Sequence, residues 1–403
     1  MIPVIVDLHL HSRYSLATSS AMEPPELARW ANIKGIDLLG TGDITHPEWL
    51  KTLKQQLRPL DDTGIYEHGG VRFVLSGEVS VVWKQDGRGR RIHLLFLAPT
   101  FGCAEKIQHA LASMGRLASN GRPMLTRSAE TVVDAIWTAC PDAVVIPAHV
   151  WTPWYSVFGA RSGFDSMAAC FGRHTERIGA LETGLSSDPA MNRRWAALDR
   201  YRLVSFSDAH SPANLGREAT VLELPDMSFS ALAGALGDGP GYVGTIEFYP
   251  QQGKYHYDGH RACGVRFAPE ETKKAGGICP VCGKPLTVGV LHRVDALADR
   301  PSDAWRACHD GDVRYVVPLM DLLSKLLGVS AKSKRVAAAY SGLIDRYGSE
   351  FALLLDCPVE EIEDGGSGAL ADAIRRARAM ALHVEPGYDG VYGTVDLAAR
   401  GTG

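Results

Sequence analysis

The stretch Ile2-Pro3-Val4-Ile5-Val6-Asp7-Leu8-His9-Leu10-His11 lies near the start of the sequence. Its apolar part predicts a buried β-strand over Ile2–Leu8, and two histidines spaced by one residue follow. Side chains at i and i+2 of an extended chain point the same way, so both imidazoles can reach one ion. Such a pair also occurs as two hydrogen-bonded surface histidines, so the rest of the sequence has to decide between the two interpretations.

Short apolar runs alternate with helix-like segments through the first ~235 residues. Amphipathic helices are predicted at Glu26–Lys34 and Ala129–Ala139, and residues 85–89 are typical of a hairpin turn. Repeated strand–helix alternation predicts an α/β fold with a parallel sheet, either a barrel or a doubly wound sheet. The further predicted strands are Ile36–Leu39, Val71–Leu75, Ile92–Leu97, Ala143–Ile146, Ile178–Leu181 and Leu203–Phe206.

A length of 403 residues favours two or three domains. The Gly- and Pro-rich segment 237–241 is typical of a linker, and the pattern becomes helical after about residue 305. We therefore expect a first domain over residues 1–240, a small lobe over 241–300 and a helical domain over 301–403. The helices predicted in the last of these are Val316–Leu327, Lys332–Tyr347, Glu350–Leu355 and Ala369–Ala381.

The composition is that of an ordinary soluble globular protein, with 45% hydrophobic and 22% charged residues. No apolar run reaches the ~20 residues of a membrane span, and the N-terminus does not resemble a signal peptide. We therefore expect a cytoplasmic protein with reduced cysteines and no membrane partner. The net charge is −4, yet residues 251–346 carry 15 Lys and Arg against 10 Asp and Glu. This local excess is either a binding surface or chance variation.

Histidines and carboxylates recur after several of the later predicted strands. Side chains at the carboxyl ends of parallel strands converge on one face, whereas packing alone rarely places these residue types there. Mixed imidazole and carboxylate ligands suit zinc, manganese or iron better than calcium. The sequence therefore predicts a metal site. Its candidates after strands are Asp43, Glu78, His149, Glu182, Asp208 and His210, and His93 lies on the return strand of the hairpin.

Two or three cations held ~3.5–4 Å apart can clamp the oxygens of a phosphoester during hydrolysis. Glu78 is the candidate to bridge two ions, and Asp208 could bind a metal and orient the attacking water or protonate the leaving oxygen. The chain has no P-loop motif and no G-x-S-x-G motif, which argues against an NTPase and a serine hydrolase.

A second metal motif lies in the small lobe. His260-x-x-Cys263 and Cys279-x-x-Cys282 are separated by 15 residues, a spacing typical of a tetrahedral structural zinc site. His256 competes with His260 as the fourth ligand. The remaining cysteines are predicted to be packing residues: Cys103, Cys140, Cys170, Cys308 and Cys357.

In order and spacing, the first ligand set resembles the polymerase and histidinol phosphatase (PHP) superfamily, which implies a distorted (β/α)7 barrel with a trinuclear centre of Zn, Mn or Mg for phosphoester hydrolysis. The chain departs from the usual pattern at Asp43, which replaces an imidazole, and at Tyr14-Ser15-Leu16-Ala17, which offers no ligand; His46 is a further candidate. The resemblance assigns the first ion to His9, His11, Glu78 and Asp208, the second to Glu78, His93 and His149, and the third to Asp43 and His210.

Longer stretches are similar to the endonuclease Q family of DNA-repair enzymes. They are residues 148–154, 181–189, 207–212, 253–256, 282–284, 291–294 and 386–390. The resemblance covers nearly the whole chain and implies nicking 5′ to a uracil, hypoxanthine or xanthine base or an abasic site. The products would carry a 3′-hydroxyl and a 5′-phosphate.

An endonuclease of this kind must lift a damaged base out of the stack and read it in a pocket. Trp151, Trp154, Tyr155 and Phe158 follow His149 and could stack on that base, although they are equally compatible with a hydrophobic loop. The basic residues Lys254, Arg261, Lys284 and Arg293 could contact DNA phosphates or form a solvated surface.

The sequence thus predicts a metal-dependent endonuclease that acts on DNA with a damaged base, as a monomer. A sliding clamp is a candidate recruiting partner. Two alternatives remain open: a small-molecule phosphoesterase similar to histidinol phosphatase, and a DNA-binding module without catalytic activity.

Overall fold

The fold is described by a computed structural model for residues 1–302 and 311–397. The strands are β1 (Ile2–Asp7), β2 (Leu38–Gly40), β3 (Arg58–Pro59), β4 (Tyr66–His68), β5 (Val71–Gln85), β6 (Arg88–Ala98), β7 (Met124–Leu125), β8 (Val144–Pro147), β9 (Ala180–Glu182), β10 (Arg202–Val204), β11 (Ala219–Leu224), β12 (Tyr242–Phe248), β13 (Asp258–His260), β14 (Val265–Phe267), β15 (Asp312–Val316), β16 (His383–Glu385) and β17 (Thr394–Asp396).

The α-helices are α1 (Pro24–Lys34), α2 (Pro47–Gln56), α3 (Phe101–Leu111), α4 (Ala129–Ala139), α5 (Met167–Phe171), α6 (Pro189–Asn192), α7 (Phe229–Leu236), α8 (Pro269–Lys274), α9 (Val290–Leu297), α10 (Leu319–Leu327), α11 (Lys334–Tyr347), α12 (Val359–Asp364) and α13 (Gly368–Arg378). Short 3₁₀ turns occur at Leu117–Ser119, Gly172–Arg177, Ala196–Leu198, Pro212–Asn214, Pro250–Gln252 and Arg261–Cys263, and a π-helical turn occurs at Ala352–Asp356.

The largest sheet in the described residues is mixed, with the order β15-β12-β11-β1-β2-β5-β4-β3. Strand β6 continues the sheet from the second half of β5, and β8 pairs with β6. Pairing is parallel from β1 through β2 to β5, but antiparallel at β1–β11, β5–β6 and β6–β8. The α/β class is confirmed, but the predicted parallel sheet is in fact mixed, because the predicted β5–β6 hairpin and the pairs β1–β11 and β6–β8 are antiparallel.

The predicted strands are present, with shifted ends. The largest difference is at β5, predicted to end at Leu75 but continuous to Gln85. The hairpin turn is confirmed, since Gln85 and Arg88 are the last cross-strand pair before Asp86 and Gly87, both of which have positive φ angles.

Several helices begin and end as their sequences predict. The Ser128 side chain accepts a hydrogen bond from Thr131 N at the start of α4. Helix α1 ends at Gly35, whose φ of 84° is the left-handed geometry that glycine adopts at low cost. The predicted C-terminal helices correspond to α10, α11, the π-helical turn and α13, although Val316 ends β15 instead of starting a helix.

The C-terminal helices are joined to the first part of the chain. Lys34 at the end of α1 forms a buried ion pair of 2.7 Å with Glu350. Glu350 also accepts hydrogen bonds from Tyr340 Oη (2.6 Å) and Leu319 N (3.0 Å), so its charge is well satisfied. Strands β12 and β15, from the expected second and third domains, pair with each other in the main sheet. Within the residues that the structure describes, no helix has the length and apolar character needed to cross a bilayer.

Two carboxylic acids face each other inside the fold. Glu218 directly precedes β11 and Glu247 lies in β12, one position beyond the cross-strand pair Ala219–Ile246. Both are 0% exposed, and neither oxygen of Glu218 has a hydrogen-bond partner in the described part of the chain. Burial raises the pKa of Glu247 to about 8, and burial together with Glu247 raises the pKa of Glu218 well above its usual range.

These raised pKa values predict a pH dependence of stability. Between pH 4.5 and about 8 the folded chain holds a proton on Glu247 that the unfolded chain releases, so the free energy of unfolding should fall as pH rises through this window. One such proton corresponds to about 1.4 kcal/mol per pH unit. Glu247→Gln should flatten the plot of melting temperature against pH in circular dichroism. The exposed Glu223→Gln in β11 is the control, and an unchanged slope in Glu247→Gln would contradict the assignment.

Candidate metal centre

The predicted metal ligands lie at one end of the sheet. His9 and His11 follow β1, and an isolated bridge between Leu10 and Ala209 places them beside the segment that follows β10. Glu78 was expected to follow a strand. It lies instead within the extended β5, where it pairs with Leu95. His93 lies opposite Ser80 on β6. The long hairpin therefore brings Glu78 and His93 to the site from the middle of two strands.

Three candidate ligands have left-handed backbone geometry. The φ angles are 53° at Asp43, 29° at His149 and 46° at Asp208. Such geometry costs non-glycine residues about 1–3 kcal/mol each, and it persists where the surrounding structure imposes it. All three residues lie a few positions beyond the ends of their strands, which are β2, β8 and β10 respectively. The strained turns aim their side chains at one place.

The ligand atoms form two groups of three. His9, His11 and Asp208 make one group and Glu78, His93 and His149 the other, and within each group the atoms lie within 4.8 Å of one another. Glu78 lies between the groups. Its Oε2 is 3.4 Å from His9 Nε2 and 3.2 Å from His11 Nε2, and its Oε1 is 2.7 Å from His93 Nδ1.

Four atoms of this centre are buried and, despite close neighbours, make no hydrogen bond of good geometry among residues 1–302 and 311–397: His9 Nε2, His11 Nε2, Glu78 Oε1 and Asp208 Oδ1. Buried polar atoms normally have partners, so a converging set without them needs a compensating ligand. Imidazole nitrogens and carboxylate oxygens are a suitable donor set for divalent metal ions. The residues present therefore fit a polynuclear metal centre.

A second ring of side chains holds the imidazoles in place. Glu182 Oε1 is 2.8 Å from His9 Nδ1, and its Oε2 accepts a hydrogen bond from His149 N. Ser80 Oγ lies 2.9 Å from His93 Nε2, and Thr152 Oγ1 lies 3.1 Å from His149 Nδ1. Such contacts select the nitrogen that faces a metal. Sequence reasoning missed Ser80 and Thr152, because serine and threonine carry no signal at these spacings.

Asp43 contacts His11 in the same way. Asp43 Oδ1 is 3.1 Å from His11 Nδ1, and its Oδ2 accepts hydrogen bonds from Ser12 N, Ser12 Oγ and Ser15 Oγ. Both oxygens are therefore engaged, and this geometry makes Asp43 a partner of His11. The His210 ring also contacts the His11 ring, with 4.4 Å between ring centroids. The assignment of Asp43 and His210 to a third ion stays a prediction.

The pKa values follow from burial and from these contacts. Burial lowers the pKa of His9, but Glu182 and Glu78 outweigh it and raise this pKa well above its usual value. Burial lowers the pKa of His11 too, and Asp43 and Asp208 reverse this effect. Burial lowers the pKa of His93 to about 3, although Glu78 opposes the shift. Metal binding at His9 and His11 would therefore release protons.

Arg122 is a cation of the centre that sequence reasoning missed. It lies in the loop before β7, and its Nη1 is 3.0 Å from Glu78 Oε2. His46 contributes nothing to the centre. Its side chain accepts from Trp49 N at the start of α2, and its Nε2 is 3.2 Å from Ala118 O.

A cavity of about 630 Å³ opens beside the ligands. Of the four aromatic residues predicted to stack on a base, Trp154 and Tyr155 line it. The expectation for Trp151 is wrong, because it is 1% exposed and packs on Phe158 and Trp195 in the core. The cavity is lined by Ala17, His93, Arg122, His149, Thr152, Trp154, Tyr155, Glu182, Gly184, Leu185, Ser186, Phe206, Asp208, His210, Asn214, Arg217, Lys254, Tyr255 and Tyr392.

The four candidate phosphate contacts differ in exposure. Lys254 is exposed at the cavity, with its Nζ 5.6 Å from the centre of the Tyr392 ring. Arg261 and Lys284 are exposed in the lobe. The expectation for Arg293 is wrong, because its guanidinium donates to Phe158 O and Phe164 O and pairs with Asp165. It serves to join α9 to the loop after β8.

The lobe brings its four predicted ligands together. The ligand atoms of His260, Cys263, Cys279 and Cys282 all lie within 4.8 Å of one another. Burial raises the pKa of Cys279, but hydrogen bonds from the backbone N–H groups of Val281 and Cys282 outweigh it, and this pKa falls to about 6. The donor set and its compactness fit one tetrahedral zinc ion.

The competing histidine, His256, lies elsewhere. It is buried with its Nδ1 3.3 Å from Ser186 O, and burial lowers its pKa to about 4. Of the remaining cysteines, Cys140 and Cys170 are buried, and Cys103 and Cys357 are half-buried. Cys308 lies outside the described residues.

Comparisons with known proteins extend over the whole chain. A family model described as the MJ0043 C-terminal domain matches residues 318–380. A Bacillus subtilis protein, YqxK, is 28% identical over 90% of this chain and 89% of its own length. The Methanocaldococcus jannaschii protein MJ0043 is 28% identical over 62% of this chain, and the match spans only 31% of that longer protein.

Two solved structures are similar from end to end. The lesion-specific endonuclease PfuEndoQ from Pyrococcus furiosus has 31% identity and a TM-score of 0.86, with coverage of 99% of this chain and 98% of its own. A complex of endonuclease Q with a 27-mer duplex substrate, with an abasic lesion at the active site, has 32% identity and a TM-score of 0.87, with coverage of 99% of both chains. These matches confirm the resemblance found in the sequence, and the chain belongs to the endonuclease Q family.

Proposed function

We propose that the chain is a metal-dependent DNA repair endonuclease that nicks one strand 5′ to a deaminated base or an abasic site. The observation that carries the proposal is the convergence of the two ligand groups on Glu78, beside a cavity with an aromatic wall. The related endonuclease Q structure holds duplex DNA with an abasic lesion at its active site.

The two ligand groups would hold divalent cations, with Zn, Mn or Mg as candidates. Asp43 and His210 would complete a third site. When bound, such cations stabilise negative charge on a phosphoester and lower the pKa of water. Glu182, Ser80 and Thr152 would keep the imidazoles in the correct orientation for ligation.

Asp208 is the candidate catalytic residue. Its Oδ1 is 3.1 Å from His11 Nε2, and the residue lines the cavity beside the centre. A carboxylate there can accept a proton from the attacking water and then give that proton to the leaving 3′-oxygen. Arg122, at the same wall, can contact a phosphate oxygen in the fork geometry of a guanidinium. Cleavage of the bond between the phosphorus and this 3′-oxygen leaves a 3′-hydroxyl and a 5′-phosphate.

The cavity would receive the damaged base. Trp154, Tyr155 and Tyr255 offer aromatic faces there, and the ring centroids of Trp154 and Tyr255 are 5.8 Å apart. Stacking on such faces compensates for the stacking that a base loses when it leaves the duplex. Lys254, Arg261 and Lys284 would bind phosphates of the flanking strand.

We further propose a distorted PHP-type barrel over residues 1–240, a zinc-binding lobe over 241–300 and a helical domain over 301–403. In support, β9 lies beside β8 and β10 lies beside β12, so the separate β9–β10 pair links these two strands of the main sheet. One core cluster also takes residues from β1, β2, β5, β6 and β8–β11. A monomer suffices, since one nick needs one active site.

Product mapping on labelled duplexes tests the proposal. Duplexes with one uracil, hypoxanthine or abasic site should be cut at the phosphodiester 5′ to the lesion with Mg²⁺ or Mn²⁺, and the undamaged duplex should remain intact. Chelation with EDTA should stop the reaction. Rapid hydrolysis of free phosphate monoesters without salt-sensitive DNA binding would instead indicate a small-molecule phosphoesterase. Salt-sensitive binding without cutting would indicate a non-catalytic module.

A further inference from the structure

Ser12 and Ser15 in the loop after His11 donate hydrogen bonds to Asp43, but the loop itself carries no candidate metal ligand. Residues 12–19 contain no histidine, cysteine, aspartate or glutamate. The structure nevertheless holds this loop firmly. Ser19 N donates to His210 O (2.8 Å), Gly121 N donates to Tyr14 O (3.0 Å), and Leu16 N donates to Asn120 Oδ1 (3.3 Å). The loop is thereby tied to His210 on one side and to the segment before Arg122 on the other.

Leu16 is the exposed tip of this loop. Its side chain is 77% exposed, while Ser15 before it is buried against Asp43. Ala17 after it lines the cavity beside the metal centre and has a φ of 62°. Single exposed apolar residues are common on protein surfaces. A leucine presented by a tightly held loop at the rim of an active-site cavity is a more specific arrangement.

We propose that Leu16 is a wedge that enters the DNA duplex and fills the space left when the damaged nucleotide is extruded. This inference rests on the proposed function. Proteins that kink DNA or extrude bases commonly insert apolar side chains between base steps, because an apolar group replaces lost stacking contacts better than water does. Leucine is apolar and cannot bind a phosphate or a metal, so it would act on the bases. Its anchored loop also avoids an ordering cost on binding.

A wedge at Leu16 should affect nicking of some substrates and not of others. A wedge lowers the free energy of a state in which a base pair is already broken, so it helps with a paired lesion. A lesion in an unpaired region has no pair to break and no neighbouring stack to preserve. Leu16 is therefore a positioning residue for duplex substrates, and the metal chemistry does not depend on it.

The test compares Leu16→Ala with the wild type on one uracil-containing sequence, either fully paired or inside an unpaired bubble. We expect kcat/KM to fall about tenfold on the paired duplex and less than about twofold on the bubble. Leu16→Met, which keeps an apolar side chain of similar length, should restore most of the duplex rate. Ile2→Ala is the matched control, because Ile2 is an exposed aliphatic residue (42%) at the opposite end of β1.

A binding measurement supplies a second readout. With Asp208→Asn to prevent cutting, 2-aminopurine placed next to the lesion should report less unstacking when Leu16→Ala is added. Equal loss on both substrates, or no loss on either, would overturn the wedge while the proposed function stands. An inability of the wild-type protein to nick any damaged DNA would overturn the proposed function itself, and the wedge with it.

Discussion

Asp208→Asn should abolish nicking while DNA binding persists. The carboxylate of Asp208 lies 3.1 Å from His11 Nε2 and 3.7 Å from His9 Nε2, and its Oδ1 has no hydrogen-bond partner in the parts of the chain that the structure describes. An amide of the same shape removes the negative charge that a metal ligand or proton carrier needs. We expect a loss of about a thousandfold in the single-turnover nicking rate.

Fluorescence anisotropy with a lesion-containing duplex would check that the variant still binds DNA. Asp37→Asn is a suitable control, because Asp37 is exposed and accepts a hydrogen bond from Ile5 N away from the centre. Nicking by Asp208→Asn at the wild-type rate would remove Asp208 from the mechanism. Loss of both nicking and binding would assign it to DNA binding or folding.

Glu78→Gln should deplete the whole metal centre. Glu78 approaches His9, His11 and His93 within 3.4 Å, so it contacts both ligand groups. Its replacement by a neutral amide weakens two sites at once and leaves Arg122 without its anionic partner. We expect the metal content to fall from about three or four ions per chain to about one, together with loss of nicking. Inductively coupled plasma mass spectrometry would measure this.

Cys282→Ser provides the complementary variant. It should remove the single ion of the lobe and keep those of the main centre, because the two sites share no ligand in the described residues. The lobe has only a small core of Val265, Cys279 and Leu286, so its folding should depend on the metal. Rapid proteolysis within residues 258–286 would show that the lobe has unfolded. An unchanged metal content in either variant would contradict the corresponding assignment.

Much of the site could be predicted because many of its ligands occur at characteristic short spacings in the sequence. His9 and His11 are two residues apart after an apolar run, and Cys263, Cys279 and Cys282 have the spacing of a zinc site. Other contributions carry no such pattern. Ser80 and Arg122 are ordinary residues in sequence, and they reach the centre only because β5 extends past its predicted end and places the loop before β7 beside it.

For aromatic and basic residues too, the sequence does not show which side chains reach the site. Trp151 and Trp154 are three residues apart, yet one is core and the other lines the cavity. Arg293 and Lys254 are both basic, but only Lys254 is exposed. Residue type indicates what a side chain can do, whereas its surroundings decide whether it is free to do it.

By itself, the sequence determined the α/β class, the family and the residue types that bind metal, because strand periodicity and ligand spacing are local properties of the chain. The tertiary structure decided that Glu78 lies between the two ligand groups, that Asp43 contacts His11, and that His260 instead of His256 joins the cysteines. The contacts of the centre join residues as far apart in sequence as His9 and Asp208, and their distances depend on how the strands and turns pack.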